Sequence, residues 1–534
     1  MHKPVSLFTL AAAAIVVCWW WLGAAVVPVP LNTFEAGEKL YCVSYAPFRG
    51  SQTPLDLSTK IEAWQIEEDL AQLAKSTDCI RTYSVDAGLD QIPEIAQRHG
   101  LKVLLGLWVS SFPDRTQYQI ETGVKLVNRF PETIRGVVVG NEALLRGEVS
   151  AARLREYIGI VKRQVKAPVT YADVWEFWQQ NRELSSAVDF VTVHILPYWE
   201  DDPVSAAKAA DHVGRIRKLV ADDFPGKEIL VGEFGWPSAG RMREAALPSP
   251  ITQARVLTEV LKRSRQDGFH VNLIEAFDQP WKRYLEGTVG GHWGLHDDAT
   301  RQPKFQWGAP VSNHPSWAWQ ALGGVALAAV VFGAAVLAAR RRKDIEPDLS
   351  AWIAIAVSAA AGGVFVGWTI ENIPIESLGV WAWLRALAFG AVAILAPIAT
   401  AVALAASRAV PAFDQVIGPQ RARDALSVTL GVLFIVLTLL AVQSALALSF
   451  DPRYRDFPFA PMTAAAVPFL LTSLRAPRSS GARPLAETLS AAVLILCAAF
   501  IVWNETLMNW QALWFAATLV ALVVSLLRVR AAPG

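Results

Sequence analysis

Short, largely apolar runs alternate, over the first half of the chain, with longer stretches in which apolar residues recur every three or four positions. The runs fall at 40–45, 79–84, 102–107, 134–140, 169–172, 188–194, 228–232 and 271–276. Such a run predicts a strand covered on both faces, as a parallel sheet under helices requires. The periodic stretches 61–74, 150–165 and 252–265 predict those helices, with Ser150 as an N-cap. Eight runs at this spacing match the size of a closed (β/α)8 TIM barrel with right-handed crossovers. An open doubly wound sheet is the alternative, but its first turn is a Gly-rich phosphate loop, which Ser44-Tyr-Ala-Pro-Phe-Arg-Gly50 does not resemble.

After Ser316 the pattern changes. Long apolar segments separated by short polar loops occupy 317–339, 351–370, 381–406, 426–448, 458–474, 485–503 and 510–527, and an eighth covers 5–27 near the N-terminus. These lengths predict transmembrane helices, and they account for a hydrophobic content of 53% in a chain of 534 residues. Basic residues collect on alternate loops: Arg340 to Lys343, then Arg408, Arg421 and Arg423, then Arg475, Arg478 and Arg483, then Arg528 and Arg530. By the positive-inside rule those loops are cytoplasmic, the termini with them, and the globular part faces outward. Arg453 and Arg455 fall on the other side beside Asp451 and Asp456.

The expected organisation is therefore a membrane anchor at 1–30, a barrel domain at 31–316 and a membrane domain at 317–534. The first segment reads as an uncleaved anchor because no small-x-small cleavage site precedes 28–30; a signal peptide is the alternative. Cys42 and Cys79 stand in the first two runs and either pair or remain buried strand thiols. The net charge of +1, without a long basic block, gives no reason to expect nucleic acid.

A barrel gathers the residues just past each strand onto one face. Here these are Tyr83, Trp108, Asn141, Glu142, Asp173, His194, Tyr198, Trp199, Glu233, Trp236, Glu275, Asp278 and Trp281. Acids and aromatics dominate. Carboxylates do acid/base and nucleophilic work, and flat rings receive the C–H faces of a pyranose, so the combination points to a carbohydrate site. Two runs end alike, Val-Val-Val-Gly-Asn-Glu142 and Ile-Leu-Val-Gly-Glu233, and supply the carboxylate pair that a retaining glycosidase needs. His292, His296, Asp297 and Asp298 look like a metal cluster on paper, but Gly294 breaks their spacing and the proposed chemistry calls for neither metal nor cofactor.

Val139-Gly-Asn-Glu142 and Gly232-Glu-Phe-Gly-Trp-Pro-Ser238 resemble the acid/base and nucleophile motifs of glycoside hydrolase family 17, and most closely those of its bacterial membrane-attached branch. Ser44-Tyr-Ala-Pro-Phe48, Ile80-Arg-Thr-Tyr-Ser84, Val193-His-Ile-Leu-Pro-Tyr-Trp-Glu200, Ile274-Glu-Ala-Phe-Asp-Gln-Pro-Trp-Lys-Arg283 and Glu286-Gly-Thr-Val-Gly-Gly291 are in the same style. Phe234, where plant members usually carry Thr, is a departure. The resemblance implies a retaining barrel enzyme on β-1,3-glucan, with Glu142 as acid/base and Glu233 as nucleophile. Asn141, Tyr83, His194, Tyr198, Trp236, Glu275, Asp278 and Trp281 are the expected substrate-binding or orienting residues. Transfer to a second sugar is the expected fate, hydrolysis the alternative, and a glucan-binding or export subunit without turnover a third reading. β-Glucan, a bilayer and glucan synthase machinery are the partners this layout suggests, at the bacterial inner membrane with the barrel in the periplasm.

Overall fold

The computed structural model describes residues 2–27, 38–342, 346–418, 424–476 and 481–529. The 28–30 stretch, Lys343, Arg421, Arg423, Arg478 and Arg530 lie outside the described residues. The chain divides into two compact units, one of Val26–Ala239 with Ala245–Val311, the other of Met1–Ala25, Gly240–Glu244 and Ser312–Gly534.

All eight predicted strands form: β1 (Cys42–Ser44), β2 (Cys79–Arg81), β3 (Lys102–Leu107), β4 (Ile134–Asn141), β5 (Val169–Val174), β6 (Val191–His194), β7 (Ile229–Phe234) and β8 (Val271–Leu273). They pair in parallel in chain order and β8 returns to β1, which closes the barrel and excludes the open sheet. The predicted helices follow their strands. Ala151–Lys162 begins where Ser150 Oγ accepts the Arg153 N–H, and Pro250–Asp267 starts earlier than the periodicity indicates because Ser249 caps it and Pro250 pre-sets its first turn.

Alternate strand residues divide the interior. Val43, Ile80, Val103, Val137, Val191 and Val231 join the core shared with the helices. Cys42, Cys79, Leu104 and Leu230 form a separate small apolar cluster, in which Cys42 and Cys79 are joined as a disulfide. One pleat further along, the filling turns polar: Ser44, Arg81, Thr170, Thr192 and Asn272 are all buried. Each bonds another strand, as buried polar groups must. Asn272 Nδ2 donates to Ser44 Oγ at 2.8 Å and to Gly232 O at 2.7 Å, and the Thr170 and Thr192 hydroxyls lie 3.0 Å apart. A Cβ on Gly232 would stand 2.2 Å from Thr192 Cγ2, so only glycine fits this layer. The pairing is uneven around the ring. β3 matches β4 from Val103 to Leu107, whereas β1 meets β8 only at Cys42↔Asn272 and Val43↔Leu273.

The second unit is helical. Seven of its described helices are long and apolar enough to cross a membrane; the predicted segment at 458–474 forms the shorter helix Phe459–Arg475 of 17 residues. This unit also holds Gly240–Glu244, where buried Arg241 pairs with Glu505 and Met242 O accepts from Asn509 Nδ2 at 2.9 Å.

Candidate active site

The ends of β2, β4, β6 and β7 bring Arg81, Asn141, Glu142, His194 and Glu233 together. Glu142 follows a local break in β4. The register with β5 shifts between Val138 and Asn141, Gly140 takes φ +88° and Glu142 itself φ +52°. A glutamate in the left-handed region costs on the order of 1–3 kcal/mol and persists only where its surroundings fix it. Here the Glu142 N–H donates to Ala172 O at 2.8 Å, and Arg146 holds Asn141 O. The irregularity turns the carboxylate toward β6, where Oε1 lies 2.7 Å from His194 Nδ1.

Glu233 lies within β7. Its Oε1 accepts from Arg81 Nη1 at 2.9 Å and from the Tyr83 hydroxyl at 2.9 Å, and it stands 3.6 Å from His194 Nε2. Arg81 is 1% exposed and also donates to Gly232 O and Asn141 Oδ1, with the Tyr83 ring beneath its guanidinium at 4.9 Å. Oxygens of Glu142 and Glu233 and a nitrogen of His194 thus converge within 4.8 Å of one another. Such a trio can hold a cation, but the Arg81 guanidinium already brings positive charge to Glu233 and Asn141 in that space. Burial raises Glu142, but the hydrogen bond and charge of His194, helped by Arg146 and Arg81, outweigh it and hold the carboxyl below the usual range. Burial pushes the Tyr83 phenol up, and the Glu233 charge adds to that, so the phenol keeps its proton to donate.

The other predicted residues spread out. Glu275 is buried against Lys282; burial pushes it up to about 7 despite the ammonium, and its Oε2 has no hydrogen-bond partner among the described residues. Asp278 is a pin for the loop after β8, accepting the Gly294 N–H at 2.8 Å and pairing with Lys304 at 2.6 Å. Tyr198 and Trp236 are fully buried and pack edge-on, with Trp293 also against Tyr198, so their faces are covered by protein. Trp281 is half-buried and donates from Nε1 to Gln279 Oε1 at 2.9 Å. Asp173 is buried beside Glu142 and bonded by Tyr171; burial pushes it up to about 6. Trp108 lies under the Arg146 guanidinium at 4.1 Å. Among the described residues His292, His296, Asp297 and Asp298 do not converge: His292 faces Asp278, His296 bonds Ala276 O, and Asp297 caps Thr300.

Arg81 is the site residue that sequence reasoning passed over in favour of Tyr83. Its signal was present, since a charged residue inside the otherwise apolar strand Cys-Ile-Arg has to find a buried partner.

A closed parallel barrel with paired glutamates at β4 and β7 has the architecture of a glycosidase. Residues 42–294 match the family described as the BtgE/BtgC glycoside hydrolase domain. The putative glucan endo-1,3-beta-glucosidase btgC of Aspergillus niger is 29% identical over 289 residues, 48% of this chain and 42% of its own length. Saccharomyces cerevisiae glucan 1,3-beta-glucosidase is 27% identical over 43% of this chain and 80% of its own. A solved glycoside hydrolase family 17 beta-1,3-glucanosyltransferase from Rhizomucor miehei is 24% identical over 50% of this chain and 97% of its own, with a TM-score of 0.44. The chain thus spans about two fifths of the length of the btgC relative, 42%.

Proposed function

We propose that the protein cleaves β-1,3-glucan by double displacement and passes the glycosyl group to a second sugar hydroxyl. The observation that carries this is the convergence of Glu142 and Glu233 within 4.8 Å, the short carboxylate spacing of a retaining site. Glu233, fixed by two donors on one oxygen, attacks the anomeric carbon with Oε2, and Glu142 protonates the departing oxygen. In the second half Glu142 removes a proton from the acceptor, whose oxygen displaces Glu233.

Glu142 must first carry a proton, yet His194 holds it ionised in the open site. The remedy is local. A sugar seated over the pair excludes water and disfavours the separated charges, so the proton shared across the 2.7 Å contact between His194 Nδ1 and Glu142 Oε1 shifts onto Glu142. Arg81 and Tyr83 meanwhile hold Glu233 Oε1 in place by their two hydrogen bonds.

Half-buried Trp199 and Trp281, with exposed Tyr284, offer platforms for an acceptor and support transfer. Hydrolysis is the second reading, favoured by the glucosidase names of the curated relatives. The Cys42–Cys79 disulfide favours an oxidising compartment for the barrel, and the apolar helices favour a bilayer anchor, consistent with a periplasmic site on an inner membrane. Incubation of the full chain with end-labelled laminari-oligosaccharides tests the reading. Products longer than the substrate, absent from Glu233→Ala, mark transfer; shorter products alone mark hydrolysis; binding without any turnover marks a glucan-binding subunit.

A further inference from the structure

The helical unit contains a small cleft that opens to its surface. It lies among the ends of helices Leu349–Glu376 and Ala425–Phe450, the beginning of Gly379–Ala405 and the segment entering Phe459–Arg475. Much of its wall is hydrocarbon, with Ile373, Ala386, Phe389, Leu448 and Pro461.

Two polar groups in this wall have no partner among the described residues. Arg385, in the second turn of its helix and half-buried, makes no hydrogen bond or ion pair among the described residues. Glu376, a carboxylate in the same wall, accepts from Asn372 Nδ2 at 2.9 Å, and the cleft's other arginine, Arg455, bonds Asp451 at 3.0 Å. Ser444 is 3% exposed, and its hydroxyl has no partner among the described residues. Other hydroxyls of these helices, such as Thr438 and Thr463, donate to the carbonyl one turn back. Ser444 does not, although that carbonyl is always within reach in a helix. A guanidinium and a hydroxyl left open beside hydrocarbon are costly unless something else receives their protons.

We infer that this cleft binds the phosphate group of an amphiphile. Two phosphate oxygens take the forked N–H groups of Arg385, as planar bidentate recognition requires. Ser444 donates to a third oxygen, which a carboxylate does not possess. The hydrocarbon wall beside Phe389 and Leu448 takes the adjoining carbon skeleton. This assignment is independent of the glucan chemistry of the barrel.

The test is equilibrium binding of labelled phosphatidylglycerol to the full chain in neutral detergent micelles, with diacylglycerol and inorganic phosphate as competitors. Saturable binding that diacylglycerol does not displace is expected, weakened about tenfold or more by Arg385→Gln and a few-fold by Ser444→Ala. Arg385→Lys keeps the charge, loses the fork and should fall between; it carries the test if the glutamine variant does not fold. Inorganic phosphate that binds as tightly as the lipid, with the same dependence on Arg385, would make free phosphate the source and leave the site standing. Equal affinity in wild type, Arg385→Lys and Arg385→Gln, or full competition by diacylglycerol, overturns the inference.

Discussion

The two carboxylates of the barrel mouth end nearly identical sequences, yet their surroundings differ in almost every respect. Glu233 sits inside β7 with 9% of its side chain exposed, and a cation and a phenol fix one of its oxygens. Glu142 sits just past β4 at positive φ, 22% exposed, and meets an imidazole that can give or take a proton. A single inserted residue, Asn141 between the glycine and the glutamate, accounts for the contrast. It carries Glu142 beyond the end of its strand, while Glu233 is still held in the ladder opposite His194. One carboxylate is thereby held in place beside a fixed cation, and the other is left beside an imidazole with which it can exchange a proton.

Four substitutions probe that asymmetry, in falling order of effect. Glu233→Ala should reduce turnover on the order of 10⁴-fold or more for every substrate, whereas Glu142→Ala should spare aryl glucosides whose leaving group needs no proton. With azide present, the first should yield the α-glycosyl azide and the second the β-anomer; the same anomer from both would sink the assignment of distinct roles. Arg81→Met leaves Glu233 buried without its cation. About a 10²-fold fall in kcat at similar KM is expected, with about 3–5 kcal/mol of lost stability in denaturant titration.

His194→Gln removes the charge that holds Glu142 below its ordinary range, while burial continues to push it up. Its carboxyl then keeps a proton to higher pH, so the alkaline limb of the kcat/KM profile should move upward as kcat falls roughly tenfold. A stationary limb would show that His194 does not govern the proton. Replacing both Cys42 and Cys79 by alanine should cost about 2–4 kcal/mol in stability with kcat near that of the wild type, separating the anchoring of β2 from the charge it carries.

Much of this was legible in the chain itself, because burial on both faces leaves an apolar run that no loop or exposed helix imitates. All eight strands follow from that, as do Glu142 and Glu233 at the places where two runs meet a carboxylate. Other features were not local. Whether Tyr198 or Trp236 shows its ring to the cleft depends on what covers it, and that cover includes Trp293, almost a hundred residues further along. Arg81 was visible as a misplaced charge, but its partners lie on β4, β6 and β7, so its importance needed the closed ring. The left-handed turn at Glu142 belongs to the same class, since nothing in Gly-Asn-Glu alone demands it.

β1 and β8 pair at only two positions on each side, with β2, with one another and with β7, and this gives the barrel a preferred region to open. Hydrogen exchange in the native state proceeds through the weakest cooperative unit, and two paired positions are a small barrier compared with the full ladder of β3 and β4. The covalent link to Cys79 means that β1 does not leave unaccompanied: β2 is tied to it, and Arg81 stands two positions beyond that tie. An excursion that frays the first two strands therefore withdraws the guanidinium from Glu233 at the same moment. Amide protection of β1 and β2 and the fraction of molecules competent to attack a sugar become two readings of a single equilibrium.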